Sequence, residues 1–263
     1  MKIIVFKGGI GNQIFQYALY NKLKGMGYTP KCLDCTISHN GLELNKYFDV
    51  NVCFANKSWS VVLRYLLKLY RRGIKIFISD ESKFSTSLFN FYYMGYWQNK
   101  KWFPESFDIK FKSLILNDKN QSVLNQIKTT NSVSIHIRRG DYLTPENLKL
   151  FGDICSTSYY NDAIQYFKTE IKDPVFFVFS NDIQWAKDNL HIENAVYVDW
   201  NTGNDSIYDM FLMSKTKGNI IANSTFSFWG AYINKANKVV YPSKWFNGQN
   251  SAPDIFKDNW IAL

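Results

Sequence analysis

The stretch Val133-Ser134-Ile135-His136-Ile137-Arg138-Arg139-Gly140-Asp141-Tyr142 decides how the rest of the chain is interpreted. Apolar and polar residues alternate along its first half, which predicts a β-strand, and the Gly140-Asp141 pair predicts a turn at its end. In this alternation His136 and Arg138 share one face of the strand, whereas Arg139 points to the other. Because open α/β sheets bind ligands at the carboxyl ends of their strands, these side chains are candidate ligand groups. The alternative is a surface turn whose arginines pair with nearby carboxylates.

Predicted strands and helices alternate regularly from this stretch towards the C-terminus. The strands are expected at 132–137, 174–180, 195–199, 218–222 and 238–241, and the helices near 158–170, 182–190, 205–215 and 226–235. Such alternation predicts an α/β fold with a parallel sheet and helices on both faces. The polar run Lys128-Thr129-Thr130-Asn131 places a domain boundary near residue 130, which gives domains at 1–130 and 131–263. Pro253–Leu263 are expected to form a short helix that packs back on the first domain.

Two further predicted strands also end in polar residues. Ser180-Asn181-Asp182 follow the strand at 174–180, and Asn223-Ser224-Thr225-Phe226 follow the strand at 218–222. Hydroxyl groups and free N–H groups at a helix N-terminus bind phosphate well. Helix capping explains either cluster taken alone. Three polar strand ends in one parallel sheet, however, are expected to converge on one crevice.

The first domain opens as a Rossmann-like unit. Its opening elements are a strand at Lys2–Phe6, a glycine-rich turn at Gly8–Gln13 and a helix that ends near Lys24. A dinucleotide-binding fingerprint requires Gly or Ala at the position of Ile14, so an NAD-linked enzyme is disfavoured. The side-chain amides of Asn12 and Gln13, together with backbone N–H groups of the turn, are instead candidates for facing a ligand.

The composition is that of a globular protein with an excess of positive charge. Of the 263 residues, 46% are hydrophobic and 20% are charged, which excludes a disordered chain. The net charge of +9 suits an anionic partner: nucleic acid, an anionic membrane surface or a phosphorylated ligand. A non-catalytic binder of nucleotides or other anions stays open as an alternative. Nucleic acid itself is disfavoured, because the basic residues are scattered rather than gathered into an arm.

The cysteines and the N-terminus both favour a cytoplasmic protein. Cys32-Leu33-Asp34-Cys35 is a C-x-x-C pair with no second pair and no histidine at zinc-finger spacing. Reduced cysteines are therefore expected rather than a metal or redox site. No signal peptide is visible, since Lys7 interrupts the apolar run Ile3–Phe6, so we expect the protein to stay where it is made.

Two segments of the first domain each allow two interpretations. Val61–Tyr70 is an amphipathic helix whose basic neighbours are Arg64, Lys68, Arg71 and Arg72. It suits the inner face of an anionic membrane, or it packs its apolar side into the core and leaves its basic side in water. Phe91–Trp102 is dense in aromatic residues and contains Tyr96-Trp97-Gln98. Aromatic faces suit sugar rings, and they equally suit a core.

Three blocks of the chain carry motifs that are specific when taken together. They are Gly8-Gly9-x-Gly11-Asn12-Gln13-x-Phe15-Gln16, His136-x-Arg138-Arg139-Gly140-Asp141-Tyr142 and Asn223-Ser224-Thr225-Phe226-Ser227-x-Trp229-Gly230. In these blocks the chain resembles the α-1,2-fucosyltransferases of glycosyltransferase family 11, with Phe228 where the family often has Trp. The resemblance implies a GT-B-like architecture, in which two Rossmann-like domains with parallel sheets face each other across a cleft. The first domain would then serve the acceptor, and the second would bind GDP-fucose.

The same resemblance implies an inverting transfer of L-fucose from GDP-β-L-fucose to the 2-hydroxyl of a terminal β-galactosyl glycan, in bacterial surface polysaccharide or O-antigen synthesis. It implies that Arg138 contacts the diphosphate, that His136 lies by the ribose or diphosphate, and that Asp182 lies near the guanine. Ser224 and Thr225 would contact the phosphates. The other implied donor-facing residues are Gly11 and Asn12 of the first domain and Arg139, Asn181, Asn223 and Phe226 of the second.

The chemistry of the transfer agrees with an arginine-based site. As the bond between fucose C1 and GDP breaks, negative charge builds on the β-phosphate and must be stabilised. Many sugar transferases use a metal held by an Asp-x-Asp motif, and this sequence contains no such motif. A bidentate arginine is the alternative, so we expect no metal and no cofactor. Asp141 is a candidate for the general base or for orienting the arginines, and the sequence leaves the base open.

Overall fold

The computed structural model describes residues 1–37, 40–74, 76–235, 238–249 and 251–263 of the protein. The chain divides into two compact units, Met1–Lys112 and Ser113–Leu263. Each unit is built around its own parallel sheet, which confirms the predicted α/β class. Within the described ranges, no helix combines the length and the apolar character needed to cross a bilayer.

The first unit is a parallel sheet of four strands joined through helices and loops. Its elements are β1 (Lys2–Phe6), α1 (Ile10–Gly25), β2 (Pro30–Asp34), α2 (Leu44–Tyr47), α3 (Ser58–Arg71), β3 (Ile78–Ser79) and β4 (Tyr92–Tyr93). The strands lie in the order β2-β1-β4-β3. α3 places Leu63 in the core with Ile3 and Val5 of β1, so the apolar side of this amphipathic helix packs against the sheet.

The second unit is a parallel sheet of six strands in the order β10-β9-β8-β5-β6-β7. Its elements are α4 (Asp118–Thr129), β5 (Asn131–Ile137), α5 (Pro145–Phe151), α6 (Thr157–Glu170), β6 (Pro174–Ser180), α7 (Ile183–Asn189), β7 (Ala195–Val198), α8 (Ser206–Met213), β8 (Gly218–Ile220), α9 (Thr225–Ile233), β9 (Lys238–Tyr241) and β10 (Ile261–Ala262). The strands and helices that the sequence predicts between residues 132 and 241 are confirmed, with ends shifted by at most two residues.

The helix α4 belongs to the second unit, so the units divide between Lys112 and Ser113 rather than near residue 130. The side chain of Asn120 on α4 accepts hydrogen bonds from the Trp200 indole and the Asn201 amide, each at 2.9 Å. The polar run that suggested a linker is the end of α4 and the start of β5. A polar helix end cannot be told from a linker by composition alone. The roles that the sequence assigns to the two domains stay predictions.

The helix predicted for Pro253–Leu263 is wrong. Ile261–Ala262 form β10, which pairs with β9 so that Ile261 lies opposite Val240. The backbone N–H of Leu263 donates to the Tyr241 carbonyl at 3.0 Å. Before β10, the Phe256 ring stacks on the Tyr241 ring at 3.8 Å between centroids. The segment adds to the sheet of the second unit because β9 otherwise leaves backbone groups unpaired at its edge.

In each sheet the strand order reverses at one place. In the second unit β6 and β7 extend the sheet on one side of β5, whereas β8, β9 and β10 extend it on the other. The reversal therefore lies between β5 and β8. In the first unit it lies between β1 and β4, because β2 follows β1 on one side and β3 and β4 lie on the other. A crevice opens at such a point, outside the carboxyl ends of the two strands, and open α/β sheets bind ligands there.

Candidate active site

The three polar strand ends of the second unit meet at its reversal point. β5 lies between β6 and β8 in the sheet, and all three strands run parallel. Their carboxyl ends therefore lie side by side, as the sequence predicts. The residues that follow the strands are His136 to Asp141 around the end of β5, Asn181 and Asp182 after β6, and Asn223 to Phe226 after β8.

The guanidinium of Arg138 is held in a fixed orientation by Asp141, three residues along the chain. Its Nε and Nη2 atoms each lie 2.9 Å from a different carboxylate oxygen of Asp141. The guanidinium carbon also lies 5.7 Å from the centre of the Tyr142 ring. Asp141 uses both of its oxygens on Arg138, so the structure places it as an orienting group. Within the described part of the chain, the remaining N–H groups of Arg138 have no partner and are available to an anion.

His136 lies beneath Arg138 on the same face of β5 and is only 5% exposed. Burial, and secondly the charge of Arg138, lower the pKa of His136 to about 3, so the imidazole is neutral at physiological pH. Its Nδ1 atom is buried without a hydrogen-bond partner among the described residues. The ring lies 5.6 Å from the ring of Phe226, which brings the first and third strand ends into contact. A buried ring nitrogen without a partner is a place where a ligand hydrogen bond is expected.

Arg139 points away from Arg138, as the strand alternation predicts, and braces the neighbouring strand end. Its Nε lies 3.2 Å from a carboxylate oxygen of Asp182, and its guanidinium lies 4.3 Å from the ring centre of Trp185. Its backbone N–H donates to the Asn181 side chain at 3.1 Å. Asp182 also caps α7, because its other oxygen accepts the Trp185 backbone N–H at 3.1 Å. The helix-capping interpretation of Asp182 is therefore correct, and a contact with guanine would be an additional role.

The third strand end contains Asn223, which holds the loop in place, and Ser224, whose hydroxyl does not cap the following helix. The amide of Asn223 donates to the Trp245 carbonyl at 3.1 Å, and the Asn223 carbonyl accepts the Tyr142 hydroxyl at 2.9 Å. Asn223 thus fixes the loop and binds it to the β5 turn. Ser224 occupies the N-cap position of α9 but makes no side-chain capping bond, and Thr225 is the first helical residue. Capping therefore does not account for Ser224.

A cavity of about 300 Å³ opens beside the two arginines. Its walls include Arg138, Arg139, Tyr142, Phe151, Tyr160 and Trp185. Aromatic side chains offer flat apolar surface, and guanidinium groups bind phosphate through paired N–H donors. A cavity that combines the two suits a ligand with a planar ring and an anionic group.

The glycine-rich turn of the first unit is held by Gln13 rather than completed by a ligand. Gln13 is fully buried, and its amide nitrogen donates to the carbonyls of Gly8 and Gly41 at 2.9 and 2.8 Å. Its amide oxygen accepts the backbone N–H groups of Glu43 and Leu44 at 2.9 and 3.1 Å. The prediction that Gln13 faces a ligand is wrong, because every hydrogen-bonding position of its amide is occupied within the fold.

Gly11 and Asn12 lie in the first turn of α1, in the other unit from the arginines. Asn12 is half-buried, and its side-chain oxygen accepts a hydrogen bond from the Gln98 amide at 3.2 Å. The contact with a donor that the sequence predicts for these two residues stays a prediction.

Sequence reasoning missed Trp185, which stacks on Arg139 and lines the cavity. The sequence feature that could have indicated Trp185 is its position three residues after the N-cap residue Asp182. At that position its backbone N–H donates to the Asp182 carboxylate, and its ring lies near the end of the strand. Tyr142 lies within the recognised motif, yet its role in binding the loop at Asn223 is visible only in the structure.

In the part of the chain that the structure describes, the cysteines and acidic residues show no metal-binding arrangement. Among the residues that the structure describes, no group of three or more His, Cys, Asp or Glu side chains is placed to hold a metal ion. Burial raises the thiol pKa of both Cys32 and Cys35, whereas a redox-active pair needs a lowered pKa. Cys32 and Cys35 are free thiols in the structure, and the absence of a metal or redox role for them stays a prediction.

Comparison with known proteins identifies the family. Along almost its whole length the chain is similar to two Escherichia coli proteins, named "Alpha-1,2-colitosyltransferase" and "O-antigen biosynthesis glycosyltransferase WbnK". It is 32% identical to each, covering 100% of this chain and 99% of the first protein, and 97% of this chain and 98% of the second. A shorter match, 29% identical over 163 residues, reaches the human "Galactoside alpha-(1,2)-fucosyltransferase 1" and covers 56% of this chain and 44% of that protein. The sequence profile of glycosyl transferase family 11 matches residues 4–263, and the chain belongs to this family.

Proposed function

We propose that this protein is an inverting galactoside α-1,2-fucosyltransferase. It transfers L-fucose from GDP-β-L-fucose to the 2-hydroxyl of a terminal β-galactosyl residue, in the synthesis of a bacterial surface polysaccharide such as an O-antigen. Family membership supports glycosyl transfer. The names of the similar proteins support α-1,2 linkage, a galactoside acceptor and O-antigen synthesis.

The observation that carries the proposal is the oriented guanidinium of Arg138 at the reversal point of the second sheet. In the transfer, the acceptor oxygen attacks fucose C1 from the face opposite GDP and the C1–O bond breaks. The electron pair of that bond passes to the β-phosphate of GDP, and the acceptor hydroxyl loses its proton. A guanidinium fixed in advance stabilises the growing phosphate charge without having to reorganise. Both oxygens of Asp141 are held by Arg138, so we assign the proton of the acceptor hydroxyl to solvent water rather than to Asp141.

We place the diphosphate near Arg138 and the Ser224–Thr225 helix start, and the guanine near Asp182. The aromatic cavity and the two arginines beside it support a nucleotide in the second unit. The position of Ser224 at the N-terminus of α9, where its hydroxyl bonds to Tyr142 rather than capping the helix, supports a phosphate contact there. A carboxylate accepts hydrogen bonds from the guanine N–H groups, whereas adenine offers a different pattern of donors and acceptors.

The decisive experiment incubates the purified protein with GDP-fucose and a panel of galactosides. We expect a disaccharide with an α-linked fucose on the 2-hydroxyl of galactose, which NMR identifies from the anomeric coupling and the linkage shift. NAD with reducible substrates and nucleic acid without substrate are the comparison incubations. No transfer to any galactoside, together with binding of nucleic acid or turnover of NAD, would reject the proposal.

The donor sugar is tested in the same assay because a relative of 32% identity is named as a colitosyltransferase. Colitose is fucose without the 3-hydroxyl. If the site hydrogen-bonds that hydroxyl, we expect GDP-fucose to be preferred by about 10⁴-fold, because an unmatched buried polar group is costly. A preference for GDP-colitose would leave the family and the linkage intact but replace fucose as the donor sugar.

We further propose that α3 attaches the protein to the inner face of an anionic membrane. The side of α3 turned away from the core exposes Val61 by 57% and Tyr65 by 64%. Arg64 and Lys68 are exposed on the same helix, and no acidic residue occurs between Lys57 and Ile76. Apolar side chains among unopposed cations suit the headgroup region of anionic lipid.

Vesicle sedimentation tests the attachment. The triple variant Arg64→Gln/Lys68→Gln/Arg72→Gln is compared with Lys24→Gln/Lys128→Gln/Lys172→Gln, which removes the same charge from exposed sites elsewhere. On vesicles with about 30% phosphatidylglycerol, we expect the first variant to bind at least about tenfold more weakly than the wild type and the second to bind normally. Equal loss in both variants, or equal binding of the wild type to neutral vesicles, would refute a docking role for α3.

A further inference from the structure

We propose that the turn Gly95–Gln98 of the first unit binds the acceptor as a neutral sugar, through the ring of Tyr96 and the amide of Gln98. The inference rests on the proposed function and assigns the place where its second substrate is recognised. The turn follows β4, next to β1, so it lies at the carboxyl end of the strand pair where the first sheet reverses. Open α/β sheets bind ligands at this position.

The turn is held in a conformation that costs free energy. Trp97 has a φ of 60°, in the left-handed region that bulky residues rarely adopt, and its side chain is fully buried. One carboxylate oxygen of Glu81 accepts the backbone N–H groups of Tyr96 and Trp97 at 2.7 and 2.9 Å. A side chain at Gly95 would place its Cβ 2.6 Å from the same oxygen, so a substitution there would have to displace the Glu81 carboxylate from the turn. A strained backbone persists where surrounding contacts over-determine it, and such positions cluster at functional sites.

Further contacts fix the turn to the start of α1 and the end of β1. The Gln16 amide donates to the Gly95 carbonyl at 3.2 Å, and the Gln98 amide donates to the Asn12 side chain at 3.2 Å. The ammonium of Lys7 lies 4.7 Å from the centre of the Tyr96 ring. The glycine-rich turn and the Gly95–Gln98 turn therefore form one pre-ordered surface. Pre-ordered groups lose little conformational entropy when they bind a ligand.

The side chains that the turn presents suit a sugar ring rather than a diphosphate. Trp97 packs inwards against Phe84 and Trp102, whereas Tyr96 stays 42% exposed. The electron-rich face of an aromatic ring attracts the C–H groups on the flat side of a pyranose. A side-chain amide both donates to and accepts from hydroxyl groups. The arginine pair that suits a diphosphate lies in the other unit, at Arg138 and Arg139.

The test compares Tyr96→Ala, Tyr96→Phe and Gln98→Ala with Phe89→Ala. Phe89 is an exposed aromatic residue of the same unit outside the turn, so Phe89→Ala is the control for loss of an exposed ring. For Tyr96→Ala and Gln98→Ala we expect the KM for the galactoside to rise at least about tenfold, because binding contacts to that substrate are lost. The Kd for GDP, and the slow hydrolysis of GDP-fucose without acceptor, should stay within about twofold of the wild type. Tyr96→Phe keeps the ring and should resemble the wild type, as should Phe89→Ala.

Glu81→Ala tests the positioning role of the carboxylate behind the turn. We expect the same rise in galactoside KM with the Kd for GDP unchanged, whereas a general loss of structure would weaken both. Unchanged galactoside KM in Tyr96→Ala and Gln98→Ala, in folded proteins, would overturn the inference. If the wild type fails to transfer fucose at all, the proposed function fails instead. Saturation-transfer NMR with methyl β-galactoside then tests separately whether the sugar binds at the Gly95–Gln98 turn. A signal that is lost in Tyr96→Ala supports the inference, and a signal that persists in this variant overturns it.

Discussion

Arg138 and Asp141 form a two-point ion pair in which Nε and Nη2 of the arginine each lie 2.9 Å from a carboxylate oxygen. The two side chains are 28% and 42% exposed, so solvent screens the pair and its contribution to stability is about 1 kcal/mol at most. The pair therefore matters for geometry. It fixes the guanidinium at the end of β5, beside the cavity that Tyr142 and Phe151 line.

The first prediction separates the shape of Arg138 from its charge. Arg138→Lys keeps the charge but loses the planar fork, so kcat should fall by about a hundredfold or more. The KM for GDP-fucose should move much less, because the ground-state diphosphate keeps its other contacts. Steady-state kinetics with thermal unfolding as a folding control measures both. Arg139→Lys is the comparison, since Arg139 braces Asp182 and Trp185. A folded Arg138→Lys enzyme with near-normal kcat, beside an inactive Arg139→Lys, would reverse the assignment of the two arginines.

The second prediction concerns metal. If the arginine fork carries the charge stabilisation, transfer should proceed unchanged in excess EDTA. The absence of an Asp-x-Asp motif from the sequence motivates this expectation. Turnover is measured before and after chelation, and again after adding magnesium or manganese. Activity that disappears in EDTA and returns with either ion would rule out an arginine-only site.

The third prediction tests guanine recognition by Asp182 without disturbing the helix it caps. Asp182→Asn keeps an N-cap oxygen for the Trp185 N–H but removes the negative charge. We expect the GDP affinity to fall about tenfold or more and the preference for GDP over ADP to narrow, as measured by calorimetry. Asp188→Asn, on the same helix, makes the same change of charge away from the strand end and should have no effect. An unchanged GDP affinity in Asp182→Asn would leave Asp182 with its capping and bracing roles only.

From β5 to β9 the elements of the second unit, apart from α5, were predictable from the sequence because their signals are local. The alternation in β5 sets which face each arginine takes, and the polar residues after β6 and β8 mark strand ends directly. Gln13 shows where local reasoning stops. Its partners Gly41, Glu43 and Leu44 lie about thirty residues away, and nothing in the glycine-rich turn indicates that the amide is already used.

The other misses have the same physical origin. Glu81 fixes the Gly95–Gln98 turn from fifteen residues away, through a carboxylate that looks like an ordinary surface acid in the sequence. Ile255, Phe256 and Trp260 are spaced like a helix face, yet the unpaired edge of β9 draws the C-terminal residues into a strand. In each case a contact distant in sequence outweighs a local preference.

The last prediction concerns pH and rests on Asp209, a buried acid of α8. Burial raises the pKa of its carboxyl to about 8, although the Asn201 amide donates to it at 2.7 Å and partly opposes the shift. Asn201 in turn exchanges hydrogen bonds with Asn120 of α4, so the acid lies in a closed polar network. In the unfolded chain the pKa of the same carboxyl is close to its ordinary value of 3.8.

Between these two pKa values the folded protein keeps a proton that the unfolded chain releases. The stability that this carboxyl contributes is therefore complete below about pH 4 and is lost as the pH rises towards about 8. Asp209→Asn keeps the side-chain size and an oxygen that accepts the Asn201 hydrogen bond, but it cannot ionise. The stability of this variant should therefore not fall with rising pH for this reason. We measure the free energy of unfolding of both proteins in urea at about pH 5 and at about pH 8. The difference, variant minus wild type, should be more than about 1 kcal/mol larger at pH 8 than at pH 5. The lowered pKa of His136 gives an opposite slope in both proteins and cancels from the difference. A constant difference between variant and wild type across this range would mean that Asp209 is ionised in the folded protein.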